Sequence, residues 1–396
     1  MVNRYGSVKG GAESYLRALT GALAERGHDV AMASHLENDE TWPAVRRGYS
    51  FAAATSKSAD PAASERNEVQ RILDAFRPDV VHIHNIEATW LPAFLSQRVP
   101  TIFAVHDHRI SCPTGTRYWA AWKRECGIEP GAVCLGYNAV AHCGSYRANA
   151  TLKPYRAWRA WRAAATKVPR LQVFSNYMAS TLRLAGLPES RVAVTPYPVP
   201  PLAAPATLHD RTDPRPVVFA TGRLVKEKGF DLLLEALDHL RAPVVCAIAG
   251  TGHHADALVA RGASGSHEVL WLGWLTPDEL SAWYRRAALV VVPSAWPEPF
   301  GIVGLEAMAS ERAVVATDVG GIREWLVDGE TGIAVTPGDA RALATAIDRL
   351  LGDDELRASM GRSGMERATS TFSLSRHAQQ IEALYETTRS GTVSAA

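Results

Sequence analysis

The chain has 396 residues, of which 47% are hydrophobic and 21% are charged. At about 100–200 residues per domain, this length predicts two domains. The composition is that of an ordinary globular protein, which excludes a wholly disordered chain, a collagen-like repeat and a disulfide-rich miniprotein. No apolar run approaches the roughly 18 residues that a membrane-spanning helix requires.

The net charge of +1 conceals a difference between the two halves of the chain. Residues 1–195 carry 24 Lys and Arg against 16 Asp and Glu, whereas residues 196–396 carry 18 against 25. The N-terminus shows no hydrophobic signal-peptide core, which predicts a cytoplasmic protein. Basic residues are mostly Arg, and Ala is abundant, a pattern typical of a GC-rich bacterial genome.

Short apolar runs alternate with longer amphipathic stretches in both halves. This alternation predicts parallel strands joined by crossover helices, because buried parallel strands appear as continuous apolar runs. The predicted strands are Val30–Ala33, Val80–His84, Thr101–Val105, Leu171–Phe174, Val192–Thr195, Val217–Thr221, Val244–Ala249, Val269–Leu272, Leu289–Val292, Ala313–Ala316 and Ile333–Val335.

Residues 196–216 hold seven prolines and no hydrophobic periodicity, which predicts a linker between two doubly wound α/β sheets. The predicted domains are therefore residues 1–195, with an insert at 109–170, and residues 196–372. Residues 41–66 predict an irregular, mobile surface loop. The last predicted helix, Leu374–Thr388, lies in a third segment, residues 373–396, and is expected to pack back toward the first domain.

Glycine-containing segments follow several predicted strands, at the edge where open α/β sheets bind ligands. Gly10 and Gly11 precede the first helix, although a simple turn explains them equally well. Residues 222–229 (GRLVKEKG) place Arg223 and Lys228 where they could neutralise a pyrophosphate, unless they form only a solvated basic turn. Their spacing is not that of a Walker loop, so a P-loop kinase or ATPase is not favoured.

A third segment, residues 297–309, carries two glutamates. Glu298 is predicted in a loop and Glu306 on the helix that follows it. The backbone N–H groups at the start of this helix could receive a phosphate; they belong to Phe300, Gly301 and Ile302. Because carboxylates accept hydrogen bonds from neighbouring hydroxyls, the predicted targets are hydroxyl pairs of a sugar and of a ribose.

In this order, these motifs resemble the family 4 glycosyltransferases of the GT-B fold over nearly the whole chain. The residues that carry the resemblance are Gly10-Gly11-Ala12-Glu13, His106-Asp107, Ser175, Gly222-Arg223 to Lys228-Gly229, Gly273, and Glu298 with Glu306. The resemblance implies two Rossmann-like domains facing each other across a cleft. The C-terminal domain would hold a nucleotide-sugar, the N-terminal domain would hold the acceptor, and transfer would retain the anomeric configuration.

The resemblance also implies roles for individual residues. Arg223 and Lys228 would bind the diphosphate, and Glu306 would bind the ribose. Glu298 and His106 would lie beside the reacting sugar, which makes them, with Arg223 and Lys228, the predicted catalytic residues. The other predicted donor contacts are Gly10, Gly11, Gly273, Trp274, Phe300, Gly301 and Ile302. The acceptor-side candidates are Glu13, His84, Asn85, Arg156, Trp158 and Arg159.

The leaving group of such a transfer is a nucleoside diphosphate, so the reaction needs charge stabilisation more than a strong acid. We therefore favour front-side attack without a required metal, with Mg²⁺ left open. A UDP-sugar is favoured over a GDP-sugar, and the acceptor stays open among glycolipids, polysaccharide intermediates and natural products. The alternatives are a nucleotide-sugar epimerase of the same fold and a non-catalytic sugar-binding protein.

The insert at 109–170 holds 11 basic and only 2 acidic residues. Within it, Tyr155, Trp158 and Trp161 recur every three residues, beside Arg156 and Arg159. This pattern suits an anionic membrane surface or a lipid-linked acceptor. A buried helix with solvated arginines explains it equally well. Nucleic-acid binding has no supporting motif.

The same insert holds four of the five cysteines. In a chain without a signal peptide, clustered cysteines favour a metal over disulfides. We therefore predict a structural zinc site, with disulfides and free thiols as the alternatives. The predicted ligands are Cys112, Cys126, Cys134 and Cys143.

Overall fold

The structure is a computed structural model that describes residues 1–6, 10–36, 42, 44–52, 61–143, 148–201, 203–204, 214–263, 265 and 267–391. Up to residue 198 the elements are β1 (Val2–Tyr5), α1 (Gly11–Glu25), β2 (Ala31–Leu36), β3 (Arg47–Ser50), α2 (Ala63–Phe76), β4 (Val81–Ile83), α3 (Leu91–Ser96), β5 (Thr101–Ala104), β6 (Tyr118–Trp119), β7 (Arg124–Glu125), α4 (Val133–Val140), α5 (Ala148–Ala165), β8 (Arg170–Val173), α6 (Asn176–Leu184) and β9 (Val192–Val194). The later elements are β10 (Val217–Thr221), α7 (Phe230–Leu237), β11 (Val245–Ala249), α8 (Ala255–Gly262), β12 (Glu268–Gly273), α9 (Pro277–Arg286), β13 (Leu289–Val292), α10 (Ile302–Ala309), β14 (Ala313–Thr317), β15 (Gly332–Val335), α11 (Ala340–Leu351), α12 (Asp354–Thr371) and α13 (Leu374–Ser390).

The chain divides into two compact units, each built on one parallel sheet. The first unit comprises residues 1–121, 126–198 and 374–396, and the second comprises residues 122–125 and 199–373. The sheet of the first unit has the strand order β3-β2-β1-β4-β5-β8-β9, and that of the second has the order β12-β11-β10-β13-β14-β15. The two doubly wound parallel sheets predicted from the sequence are confirmed.

Each sheet has one point at which the strand order reverses. In the first unit β1 lies between β2 and β4, and in the second unit β10 lies between β11 and β13. At such a point the loops after two neighbouring strands diverge to opposite faces of the sheet and leave a crevice at its carboxyl edge. The predicted glycine and glutamate motifs follow β1, β10 and β13, so the topology places them at these two crevices.

The predicted strands agree with the structure, and most of them have side chains that are buried on both faces. β13 is an example, since all four of its residues are buried. The prediction of an irregular loop over residues 41–66 is wrong in part: Arg47–Ser50 forms β3, which pairs in parallel with β2. β3 is an edge strand with mostly exposed residues, so it lacks the apolar run that identifies the inner strands. Residues 41, 43 and 53–60 of this region lie outside the described part of the chain.

Helix α13 belongs to the first unit, although the whole second sheet precedes it in the chain. It packs against α1, where the hydroxyl of Tyr15 lies 2.9 Å from Nε2 of His377. At the surface of the same contact, the guanidinium of Arg26 pairs with the carboxylate of Glu382. Among the helices of the described residues, none combines the length and the apolar character needed to cross a bilayer.

Candidate functional site

The loops that follow β10 and β13 in the second unit lie directly against each other. Gly229 ends the short turn after β10 with a φ of 69°. A Cβ atom at this position would lie 2.0 Å from the carbonyl oxygen of Pro293, at the end of β13. Only glycine permits this approach, and the approach brings Lys228 beside the loop that carries Glu298.

Lys228 and Glu298 form an ion pair. Nζ of Lys228 lies 2.7 Å from Oε1 of Glu298, and the hydroxyl of Ser294 donates to the same oxygen at 2.5 Å. Burial alone would raise the pKa of the Glu298 carboxyl, which is 3% exposed. The charge of Lys228 and the hydrogen bonds from Lys228, Ser294 and Trp296 outweigh burial and hold this pKa below its ordinary value. Glu298 is therefore ionised at neutral pH, with Lys228 as its counterion.

Glu306, eight residues later on α10, has the opposite electrostatics. The hydroxyl of Tyr284 donates to its Oε2 at 2.8 Å. Burial raises the pKa of Glu306 to about 7, and the hydrogen bond from Tyr284 only reduces that rise. No Lys or Arg of the described residues forms an ion pair with this carboxyl. Glu306 is thus partly protonated at neutral pH and lacks a counterion.

The start of α10 lies between the two glutamates. Gly301 precedes the helix with a φ of 87°, and the indole N–H of Trp325 donates to the carbonyl of Phe300 at 2.8 Å. The N–H groups at the start of a helix, here including that of Ile302, have no partner within the helix. Together with the helix dipole they favour an anion at this end of α10.

Three further donor-side candidates lie at the same carboxyl edge of the second sheet, whereas Gly10 and Gly11 lie at the start of α1 in the first unit. Arg223 is exposed directly after β10. Gly273 ends β12, and Trp274 is 62% exposed. An exposed guanidinium and an exposed indole suit a phosphate and a flat aromatic ring, respectively.

In the first unit, His106 follows β5 and is held by two neighbours. Its Nε2 lies 3.1 Å from Nδ1 of His84, and its Nδ1 lies 2.5 Å from the hydroxyl of Tyr197. Tyr197 stacks on Phe174 with ring centroids 3.7 Å apart. Burial lowers the pKa of His106 to about 3, so His106 is a neutral imidazole at physiological pH and both of its nitrogens have a partner.

Glu13 lies on the first turn of α1, which begins at Gly11. It is 5% exposed, and the amide nitrogen of Asn3 lies 3.4 Å from its Oε1. Burial raises the pKa of Glu13, and hydrogen bonds from Asn3 and Asn85 lower it in part. The structure thus brings the candidates Glu13 and Asn85 together at the carboxyl ends of β1 and β4, close to Gly10.

The aromatic stripe of α5 is divided between the core and the surface. Trp158 is 4% exposed, and its indole N–H donates to the carbonyl of Ile110 at 2.9 Å. Trp161 is also buried, whereas Arg156 and Arg159 are exposed. The buried-helix interpretation is therefore correct for the tryptophans. Trp158 could affect acceptor binding only indirectly, through its packing in the core.

None of the five cysteines forms a disulfide bond. Burial raises the pKa of Cys126, Cys134 and Cys143, and the neighbouring Cys112 adds to the rise at all three. Within the described ranges, no three His, Cys, Asp or Glu side chains are placed so that they could hold one metal ion. The zinc site stays a prediction from the sequence.

The sequence did not identify three residues that hold this site in place. They are Ser294 and Tyr284, which donate to the two glutamates, and Tyr197, which contacts His106. Tyr284 lies in α9, and Tyr197 lies in the predicted linker. The partners of Tyr284 and Tyr197 lie 22 and 91 residues away in the sequence, so no motif or spacing could have indicated these two tyrosines. Ser294 lies only four residues before Glu298.

Comparison with known proteins identifies relatives for both units. The model described as "Glycosyltransferase Family 4" matches residues 9–201, and the model described as "Glycosyl transferases group 1" matches residues 209–367. The lipopolysaccharide core mannosyltransferase LpcC of Rhizobium leguminosarum bv. viciae is 38% identical over 181 residues. This alignment covers 43% of the chain and 51% of LpcC, so the chain matches about half the length of that relative.

Two further likenesses extend over nearly the whole chain. Glycogen synthase of Mycobacterium tuberculosis (strain ATCC 25618 / H37Rv) is 27% identical over 403 residues, which cover 92% of the chain and 88% of the synthase. The structure of HepE from Anabaena, solved in complex with UDP-glucose, superposes with a TM-score of 0.68 at 20% identity and covers 98% of both chains. At this sequence identity, the likeness to HepE shows that the two proteins share a fold.

The two glutamates should affect stability with opposite signs when each is replaced by Gln. Glu306 has a raised pKa, so the folded state binds more protons than the unfolded state between pH values of about 4.5 and 7, and stability falls as pH rises through this range. Glu306→Gln should remove this loss and stabilise the protein at pH 8 by up to about 3 kcal/mol. Glu298→Gln should destabilise it by about 1.5–3 kcal/mol, because Lys228 loses its counterion.

Urea unfolding of both variants and of the wild type at pH 5, 6.5 and 8 measures these differences. At pH 5 the effect of Glu306→Gln should nearly vanish, since the wild-type carboxyl is then already protonated in the folded state. Equal effects of the two substitutions at pH 8 would contradict the opposite electrostatics of the two sites.

Elemental analysis tests the predicted zinc site. Protein purified without chelator should carry about one zinc per chain if the four cysteines are its ligands. Absence of metal, together with four thiols of the insert that react with a thiol reagent in the folded state, would refute this prediction. Cys246 is the internal control, because it is buried in β11 and burial raises its pKa to about 12.

Proposed function

Since the chain belongs to the family 4 glycosyltransferases and has the GT-B fold, we propose that it transfers a hexose-type sugar from a nucleoside diphosphate sugar to an acceptor hydroxyl, with retention of configuration. The observation that carries this proposal is the pairing of the loops after β10 and β13, where Lys228 and Glu298 meet at the switch point of the second sheet. This is the position at which α/β sheets bind nucleotides.

A UDP-sugar is the donor that we favour. HepE, which shares the fold, was solved with UDP-glucose bound, and the relatives named above include a mannosyltransferase and a glycogen synthase. These names support a nucleotide-sugar donor as a class. The exposed Trp274 and the glycine at the end of β12 offer a surface for the base.

The proposed reaction breaks the bond between the anomeric carbon and the diphosphate, and the acceptor hydroxyl attacks from the same face. The proton of this hydroxyl passes to the departing phosphate oxygen. The developing negative charge would be stabilised by Arg223, by Lys228 and by the N–H groups at the start of α10. No protein nucleophile is required, because the acceptor hydroxyl attacks the anomeric carbon directly, and no protein base is required, because the leaving group itself accepts the proton.

Lys228 has a second task in this proposal. Without a donor it neutralises Glu298 at 2.7 Å. A bound diphosphate would attract the same ammonium group, and Glu298 would then accept hydrogen bonds from the sugar hydroxyls. Donor binding thus exchanges one ion pair for another, which limits the desolvation cost of placing two anions in one crevice.

His106 would contact the reacting sugar as a neutral group. Its pKa of about 3 excludes a protonated imidazole at neutral pH, and both ring nitrogens have partners in the first unit. We therefore assign it to positioning the sugar rather than to proton transfer. The acceptor would bind nearby, where Glu13 and Asn85 offer hydrogen-bonding groups for a hydroxyl compound.

Nucleotide binding tests the donor class. UDP, GDP, ADP and dTDP are compared by thermal shift, and UDP should produce the largest increase in melting temperature. A nucleotide present at 100 times its Kd should stabilise the protein by roughly 2.7 kcal/mol. Absence of a shift with all four would contradict a nucleotide-sugar donor. A larger shift with GDP than with UDP would change only the predicted base of the donor, from uracil to guanine. Conversion of the donor to another nucleotide-sugar without any acceptor would instead indicate an epimerase.

The two glutamates should differ in kinetics. Glu306 would contact the ribose, which does not react, so Glu306→Ala should weaken binding of free UDP about 10–150-fold at pH 8. Glu298 would contact the sugar that changes charge in the transition state. Glu298→Ala should therefore reduce kcat more than it raises the donor KM, with little effect on free UDP. His106→Ala should resemble Glu298→Ala.

Glu355→Ala, at an exposed position of α12, serves as the control for loss of a carboxylate. Calorimetry with UDP and steady-state kinetics with the donor provide the two readouts. If Glu298→Ala abolished binding of UDP while Glu306→Ala left it unchanged, the two roles would have to be exchanged.

A further inference from the structure

Helix α4, in the insert of the first unit, presents an apolar face to solvent. Val133, Leu135 and Val140 are 52%, 37% and 63% exposed, and Gly136 and Ala139 between them are exposed as well. The outward side of this helix therefore carries no charged side chain. Contiguous exposed apolar surface of this kind marks interaction sites rather than ordinary protein surface.

Contacts on the opposite side of α4 determine which face is exposed. The ring of Tyr137 stacks on that of Trp119, with centroids 5.4 Å apart and an interplanar angle of 10°. The amide of Asn138, which is 2% exposed, donates to the hydroxyl of Thr151 at 2.6 Å. A stacked ring and a buried hydrogen bond hold α4 against its own unit, so its apolar residues cannot turn inward without breaking both.

Helix α5 packs beside α4, to which it is joined by the Asn138–Thr151 hydrogen bond, and it adds positive charge. Leu152 is 41% exposed, and Lys153, Arg156 and Arg159 are exposed. From residue 130 to residue 170 the sequence contains seven Lys and Arg and no Asp or Glu. Lys153, Arg156 and Arg159 thus place exposed positive charge on the helix that contacts α4.

The exposed apolar residues and the exposed positive charge together indicate which kind of partner would bind. A second copy of the chain on this face would bring arginines against arginines, which is unfavourable. An acidic protein would match the charge but would leave aliphatic side chains opposite carboxylates. A bilayer with anionic headgroups matches both, because the aliphatic side chains enter the acyl boundary while the cations meet the phosphates.

We propose that the surface formed by Val133, Leu135, Val140, Leu152, Lys153, Arg156 and Arg159, here called the α4–α5 surface, docks on membranes that contain anionic lipid. This goes beyond the proposed transfer reaction, since docking requires neither donor nor acceptor. It differs from the interpretation based on sequence, in which Trp158 and Trp161 supplied the apolar contacts. Those tryptophans are buried, and aliphatic residues of α4 take their place.

Vesicle flotation tests this proposal with the full chain and no nucleotide. Vesicles of phosphatidylcholine alone are compared with vesicles that contain phosphatidylglycerol, at low and high salt. The wild type should float with the anionic vesicles only, and less at high salt, because the ionic attraction is screened. Each Lys or Arg near such a surface strengthens binding about fivefold, so Arg156→Glu with Arg159→Glu should weaken binding at least about 30-fold.

A second variant tests the apolar component separately. Val133→Ser with Val140→Ser keeps the charge and has nearly the same helix propensity, and it should weaken vesicle binding about tenfold. The control is Arg341→Glu with Arg362→Glu, which makes the same charge change at exposed positions of the second unit. This control should bind vesicles like the wild type.

Circular dichroism and UDP binding verify that each variant is folded. The proposal is overturned if the folded wild type does not bind anionic vesicles, if it binds neutral ones equally well, or if Arg156→Glu with Arg159→Glu binds as the wild type does. It is also overturned if light scattering shows a dimer that either variant of the α4–α5 surface dissolves. Because flotation needs no nucleotide, its failure leaves the proposed transfer reaction untouched, and failure of UDP binding leaves the docking result untouched.

Discussion

The second unit must keep a charged carboxylate inside its crevice, and much of its local structure follows from this requirement. An ionised Glu298 at 3% exposure is tolerable only with a cation and hydrogen-bond donors against it. Lys228 can serve because the turn after β10 approaches β13 more closely than any side chain at residue 229 would allow. Ser294 adds a second donor. The buried charge of Glu298 thus accounts for the glycine at position 229, for Lys228 and for Ser294.

Glu306 shows the reverse arrangement, and the contrast separates structural from functional burial. Its only described hydrogen-bonding partner among side chains is the neutral hydroxyl of Tyr284, and its pKa rises to about 7. A carboxyl held in this way reduces stability at neutral pH, so packing does not explain its presence. Groups whose pKa is shifted by burial without compensation are typical of ligand-binding positions. The energetic cost of burial thus falls on the carboxyl group that we assign to ribose binding. The hydroxyl groups of the ribose would supply the hydrogen bonds that this carboxyl lacks.

The sequence predicted most of the inner strands and both glutamates, because these leave local signals: continuous apolar runs and a motif at a strand end. It failed where the signal is not local. β3 lies at the sheet edge with exposed residues, and Tyr284 and Tyr197 reach their partners only through the folded chain. The periodicity of Trp158 and its neighbouring arginines was real, but a helical stripe alone does not indicate which side faces the core.

The two units differ in their electrostatics, and this difference suits the transfer of a neutral sugar away from an anion. The crevice of the second unit holds Lys228 and the start of α10, which favour negative charge. In the first unit, burial keeps His84 and His106 neutral and raises the pKa of Glu13. A neutral hydrogen-bonding surface can orient hydroxyl groups without competing for the diphosphate. Lys153, Arg156 and Arg159 of the first unit's insert are instead exposed, and in our proposal the headgroups of an anionic membrane neutralise them.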